Sequence, residues 1–312
     1  EYMSANVETM FYTRTKPWHG MGTCVEEAPD SKEALRVSGL DWNVIQQPIQ
    51  TNNGLGIPGY RANIRESDRS VLGVVSDRYK VVQNRDAFSF TDALLGEGVT
   101  YETAGSLQGG KKIWLLAKLP EKYVIGEDEI TPYLVFMNTH DGTGSIKVAM
   151  TPIRVVCQNT LNLALETAQR SWAVKHIGEP TQRLQDARNT LFYASSYMRE
   201  LESCVEELSA KKLADQQVYD YINALFPLIP NASEQQRKNV LKLKEDLKER
   251  YFEAPDLQHV GKNAYRFVNA VSDFATHARP LRMSENYREN LFSRTVDGNV
   301  LIDQAFEMMK AA

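Results

Sequence analysis

The chain has 312 residues, of which 42% are hydrophobic and 24% charged, the balance of a folded protein with room for one large domain or two ordinary ones. Its 36 Lys and Arg and 40 Asp and Glu divide evenly between the two halves, giving a net charge of −4. Neither half is a basic nucleic-acid module by bulk charge, so polyanion binding would need a local patch. No apolar run reaches the ~18 residues of a membrane span, and no leader is expected in the polar stretch 1–18, which together point to a cytoplasmic protein without a membrane partner.

With Met3 read as the natural start, residues 1–30 are expected to form an irregular N-terminal arm. A short helix follows, with Ser31 as its N-cap and Gly39 closing it. Residues 42–49 read as a strand ending near Pro48, 54–59 as turn, and 60–65 with 71–75 as a hairpin. A helix begins at Asn84 and stops at Gly96-Glu97-Gly98. Two further hairpins are the clearest strand signal. Residues 100–107 and 112–119 flank Gly109-Gly110, and 133–138 and 145–150 flank His140-Asp141-Gly142-Thr143-Gly144.

Beyond Thr160 the apolar period changes from two to three and four. Glu179-Pro180 opens a long helix carrying Leu184, Leu191, Met198, Leu201, Val205 and Leu208. Pro227 and Pro230 mark a linker. Helices are expected over 234–252, 263–278 and 299–310. Strands first and helices second predict an α+β fold: an antiparallel, hairpin-rich N-terminal half over 31–177, then a helical region over 178–312.

Few residues carry chemistry. Cys24, Cys157 and Cys204 are odd in number and widely spaced, so neither a disulfide framework nor a zinc site is expected. His19, His140, His176, His259 and His277 show no metal-ligand spacing, and no glycine-rich phosphate loop or nucleophile elbow is present. The sequence therefore predicts no catalytic residue, metal or cofactor. Two stretches combine cations with aromatic rings. In Asp77-Arg78-Tyr79-Lys80, Tyr79 is either a stacking ring between phosphate contacts or a packed side chain. On the hairpin strand, Lys112, Trp114 and Leu116 share one face beside Lys111, which suits a nucleic-acid strand or a half-buried Trp beneath lysine stems.

Several blocks carry a family resemblance. Residues 17–22, 39–44, 78–84, 133–142, 152–161 and 269–274 resemble, in order, the phage/plasmid-like protein family, domain-of-unknown-function family 932. The resemblance covers nearly the whole chain. It implies a phage, prophage or plasmid origin, in a bacterial host cell, among recombination and replication genes. In layout alone the chain is also similar to the single-strand annealing proteins, which place antiparallel hairpins before a helix, assemble as rings or filaments and hold a strand in a basic groove.

Three functional readings follow. The first is a non-enzymatic, oligomeric nucleic-acid-binding protein, with Arg78, Lys80, Lys111, Lys112, Lys147 and Arg154 on phosphates and Tyr79 and Trp114 stacking on bases. The second is a phage structural or interaction protein that binds protein partners through residues 180–312. The third is an enzyme around His140, Asp141, Arg154 and Cys157.

Overall fold

The computed structural model describes residues 7–13, 22–96, 99–119, 121–125, 128–154, 171–180, 188–278 and 299–312, with the side chains of 7, 153, 154 and 188–194 left out. Residues 16–21, Cys157 and the 158–160 segment, all singled out above, lie outside the described residues. Two units alternate along the chain. Residues 1–120, 133–150 and 169–194 form the first, and 121–132, 151–168 and 195–312 the second.

The first unit begins with β1 (Val7–Thr13), β2 (Thr23–Val25), α1 (Ser31–Val37), β3 (Val44–Gln50), β4 (Gly56–Arg65) and β5 (Val71–Ser76). It continues through α2 (Asn84–Leu95), β6 (Tyr101–Leu107) and β7 (Lys112–Lys118). After β8 (Tyr123–Ile125), which belongs to the second unit, it takes the later part of β9 (Asp128–Thr139), the first part of β10 (Ile146–Arg154) and β11 (Ser171–Val174). The main sheet has the order β11-β10-β9-β7-β6-β1-β2. Its ladders β1–β6, β6–β7, β7–β9 and β10–β11 are antiparallel, whereas β1 and β2 pair in parallel.

β7 is paired on both sides, and Ile113, Trp114, Leu115 and Ala117 are all buried. That explains why its sequence is a continuous apolar run rather than an alternating one. The first strand departs from the sequence reading. Instead of an irregular arm, Val7–Thr13 lies between β6 and β2 with Met10, Phe11 and Tyr12 buried. Its β-branched and aromatic residues suit a strand, but its partner β6 lies more than ninety residues along, with Phe11 opposite Ala104.

Against this sheet pack α1 and α2, burying Ala34, Ala87, Phe88 and Leu94 with Tyr101. The cap of α1 is Asp30, one residue before the expected Ser31, whose carboxylate accepts the Glu33 N–H at 2.9 Å. A separate antiparallel sheet has the order β3-β4-β5. Pro48 sits inside β3 opposite Arg61, and an edge strand tolerates its missing N–H.

Among its described residues the second unit is mostly helical; its strands are β8, the start of β9 with which β8 pairs, and the end of β10. The helices among its described residues are α3 (Arg188–Ala210), whose first turns belong to the first unit, α4 (Asp215–Leu225), α5 (Glu234–Glu253), α6 (Ala264–His277) and α7 (Val300–Lys310). α6 is the core element: every residue from Ala264 to Ser272 is buried, and α5 and α7 pack against it. The expected stripe on α3 is present, with Met198, Leu201, Val205 and Leu208 buried. α4 was not expected. Its stripe of Val218, Ile222 and Leu225 is only two turns long and sits in a polar stretch.

Arg266, on buried α6, donates to the carbonyls of Tyr251 at 2.7 Å and Val260 at 2.9 Å, and its guanidinium lies 5.3 Å from the Tyr251 ring. A fixed cation thereby meets the unsatisfied carbonyl end of α5. The protein is α+β, with antiparallel sheets in the N-terminal half and helices mostly in the C-terminal half. Among the described residues no helix is long and apolar enough to cross a membrane.

Candidate functional site

The segment from Ser76 to Asn84 joins β5 to α2, and almost every residue in it is tied down. The Tyr79 N–H closes a turn onto the Ser76 carbonyl at 3.0 Å, and the Asp77 N–H reaches the Gly59 carbonyl at 3.0 Å. Tyr79 is 7% exposed; its ring stacks on His176 at 4.4 Å and its hydroxyl donates to the Thr139 carbonyl. Burial pushes the Tyr79 hydroxyl pKa well up, followed by the effect of Asp141. Lys80 donates its N–H to the His176 carbonyl at 2.8 Å and accepts from His176 Nδ1 at 2.9 Å. The Gln83 carboxamide bonds both the N–H and the carbonyl of Val44.

Behind this segment lies a chain of buried polar side chains. Asn84 donates to the Leu40 carbonyl at 2.9 Å, which leaves its Oδ1 to accept from His140 Nε2 at 2.9 Å. Asn63 donates to the His140 carbonyl and accepts from Gln46, while Asn138 donates to the Val82 carbonyl. These partners assign the hydrogen to Nε2 of His140 and to Nδ1 of His176. Among the described residues the remaining nitrogen of each ring has no partner. Both imidazoles are therefore neutral. Burial, with lesser contributions from His176 and Arg65, lowers the His140 pKa to about 3, and burial also lowers that of His176.

The residues expected to bind nucleic acid are only partly gathered. Arg78 and Lys80 are exposed on either side of Tyr79. Lys111 and Lys112 are half-buried beside the same strand end, since Lys112 pairs with Thr139 and the Lys111 carbonyl accepts the His140 N–H. Trp114 is elsewhere in β7, opposite Gly105 and Met137. It is 5% exposed and, like Tyr79, offers no ring face to a base; both rings fill the interior. Lys147 is half-buried in β10 opposite Ala173. Arg154 ends β10 in the second unit, and its side chain is outside the described residues.

The proposed enzyme residues fare as follows. His140 has no solvent exposure, and Asp141 uses its carboxylate to hold its own turn through the Thr143 N–H and hydroxyl. Cys157 is outside the described residues. Among those described, no group of three or more His, Cys, Asp or Glu is placed to hold a metal.

The strands of the small sheet were legible in the sequence, but its buried polar contacts were not. Its inward face is polar: Gln46 and Asn63 join the buried chain, and Arg65 lies 4.6 Å from the Trp42 ring while pairing with Glu8 and the Gly109 carbonyl. Tyr60, Val71 and Val74 are all more than half exposed, whereas Ala62 and Ile64, on the same face of β4 as Tyr60, are buried. The alternation over 60–65 was legible, but β4 is exposed through Arg61 and buried on both faces from Ala62 to Arg65. Around this face Arg61, Arg69 and Arg78 are exposed and have no ion-pair partner among the described residues.

The model of a family described as a domain of unknown function, DUF932, matches residues 71–299, and the chain belongs to that family. No curated protein and no solved structure matches it.

Proposed function

We propose that this member of the DUF932 family is a non-enzymatic nucleic-acid-binding protein that takes single strands by their phosphates at the margin of the strand-rich unit. The observation carrying the reading is a set of exposed cations, Arg61, Arg69, Arg78, Lys80 and Lys175, without ion-pair partners among the described residues. Arg78 and Lys80 flank the pinned Tyr79, and a bridge from Tyr79 to Ile177 brings Lys175 to the same edge. Cations on a fixed backbone lose less freedom on binding than cations on a loose loop. An oligomer, a cytoplasmic setting and a mobile-element origin belong to the same proposal.

The test is fluorescence anisotropy with a labelled single-stranded oligonucleotide across a salt series. Affinity is expected to fall steeply with salt, and each cation removed by Arg78→Ala or Lys80→Ala should flatten the log–log slope by about 0.7. No binding at low salt, or binding indifferent to salt, would overturn the proposal. Light scattering on the same samples reads the oligomeric state.

A second reading, a protein partner docking on region 180–312, is favoured by one observation. A cleft of about 510 Å³ in the helical unit is lined by Leu225, Pro227, Val300 and Met308, with Leu228 and Ile229 exposed in the adjoining linker.

A further inference from the structure

We infer that Tyr60 is the base-stacking residue of this protein, a site of aromatic and β-branched side chains that takes unpaired nucleobases. The inference rests on the nucleic-acid reading above and deepens it. β4 is the central strand of the small sheet; Tyr60 is held in register by β5, next to the Arg61–Pro48 pair where the β3 ladder shifts. Its partner on β5 is Ser76, whose side chain is too small to cover a ring, and Tyr60 remains 53% exposed. Val74 pairs with Ala62, two residues along β4 on the same face, and is 55% exposed, which extends the apolar platform. A large ring left in water on a fixed strand, beside other exposed apolar residues, is the kind of surface that marks a binding site.

Charge selects the occupant. Arg78 follows the Asp77 amide that bonds to Gly59, the residue before Tyr60, and Arg69 stands just ahead of Val71 at the other end of β5. Neither has an ion-pair partner among the described residues. Nearby carboxylates have other partners: Glu66 accepts from Asn43, and Asp68 accepts from Ser70 and faces Arg65 at 3.4 Å. Asp77 is the exposed exception. A sheet with an exposed ring beside Arg78 at one end and Arg69 at the other complements a polyanion with exposed π faces, which is a single strand of nucleic acid. A duplex, whose bases are already stacked, gains nothing from Tyr60.

The experiment compares wild type, Tyr60→Ala and Tyr60→Phe binding to a labelled oligo-dT over a salt series, with each variant's mass read by light scattering. Tyr60→Ala is expected to weaken binding about tenfold without changing the salt slope, because a lost stack releases no counterion. Tyr60→Phe should stay within about twofold of wild type. With 5-iodouracil in the oligonucleotide, photocrosslinking should attach to Tyr60, as mapped by mass spectrometry. Wild-type binding that Tyr60→Ala leaves unchanged overturns this site and leaves the phosphate reading standing. Absence of wild-type binding at low salt overturns both. Loss of affinity in Tyr60→Ala that follows a change in mass makes the face a contact between copies of this chain, and likewise overturns the assignment.

Discussion

The two units handle polar side chains in opposite ways. In the helical unit three of the six cations of the polar helix α5 pair with carboxylates close by: Lys238 with Glu234, Lys248 with Glu245, and Arg250 with Asp246 and Asp273. In the strand-rich unit the buried Arg65 pairs with Glu8 and Asp68, whereas the exposed Arg61, Arg69 and Arg78 have no ion-pair partner among the described residues, and the interior beside them holds amides and neutral imidazoles. The difference teaches that a balanced composition hides a division of labour. The polar helix of one unit pairs half of its cations along its own length, and the small sheet of the other keeps three arginines at the surface beside buried hydrogen-bonding groups that carry no charge.

Acid should separate the units most sharply. The His140 pKa is depressed in the folded state, so the unfolded chain binds the proton first as pH falls. The associated stability is fully present above the unfolded value of about 6.5 and is lost as pH falls toward 3. The loss is on the order of 4 kcal/mol for the strand-rich unit. Urea denaturation followed between pH 7 and 4 should show it, and His140→Gln should flatten the profile. An unchanged slope in that variant would break the comparison.

A smaller effect is expected in the helical unit. Arg266→Ala removes a buried guanidinium that satisfies the end of α5, and should cost about 3 kcal/mol of that unit's stability in chemical denaturation. In the strand-rich unit, a Cβ at Gly73 would lie 2.6 Å from the Asp141 backbone, where no side chain can swing away. Gly73→Ala should therefore destabilise by about 2 kcal/mol, as overpacking does. Val74→Thr, on the exposed face, should change the unfolding midpoint least, within about 0.5 kcal/mol. A large loss there would mean that the outward face is covered, and would remove the basis for a binding platform.

Much of the fold was legible because helices and hairpins are local. The stripe on α3, the breaks at Pro227 and Pro230 and the glycines at 109 and 110 each declare themselves within a few residues. β1 was not legible, since seven residues of strand composition mean little without a view of the distant β6. The candidate site was legible only in part. Arg78 and Lys80 sit at the surface, whereas Tyr79 and Trp114 are interior. A tyrosine between two cations has the same sequence signature whether it faces water or a buried histidine.

By itself the sequence determined the order of elements, the α+β class and the family, because hydrophobic period, turn residues and motif order are properties of neighbouring residues. Only the tertiary structure decided which stretch of β4 is covered and which is left in solvent. A strand's alternation defines two faces but not their destinations. Here Asn63, in the covered stretch, donates to the carbonyl of the distant His140 and accepts from Gln46, while Tyr60 and Val74 are left to the solvent.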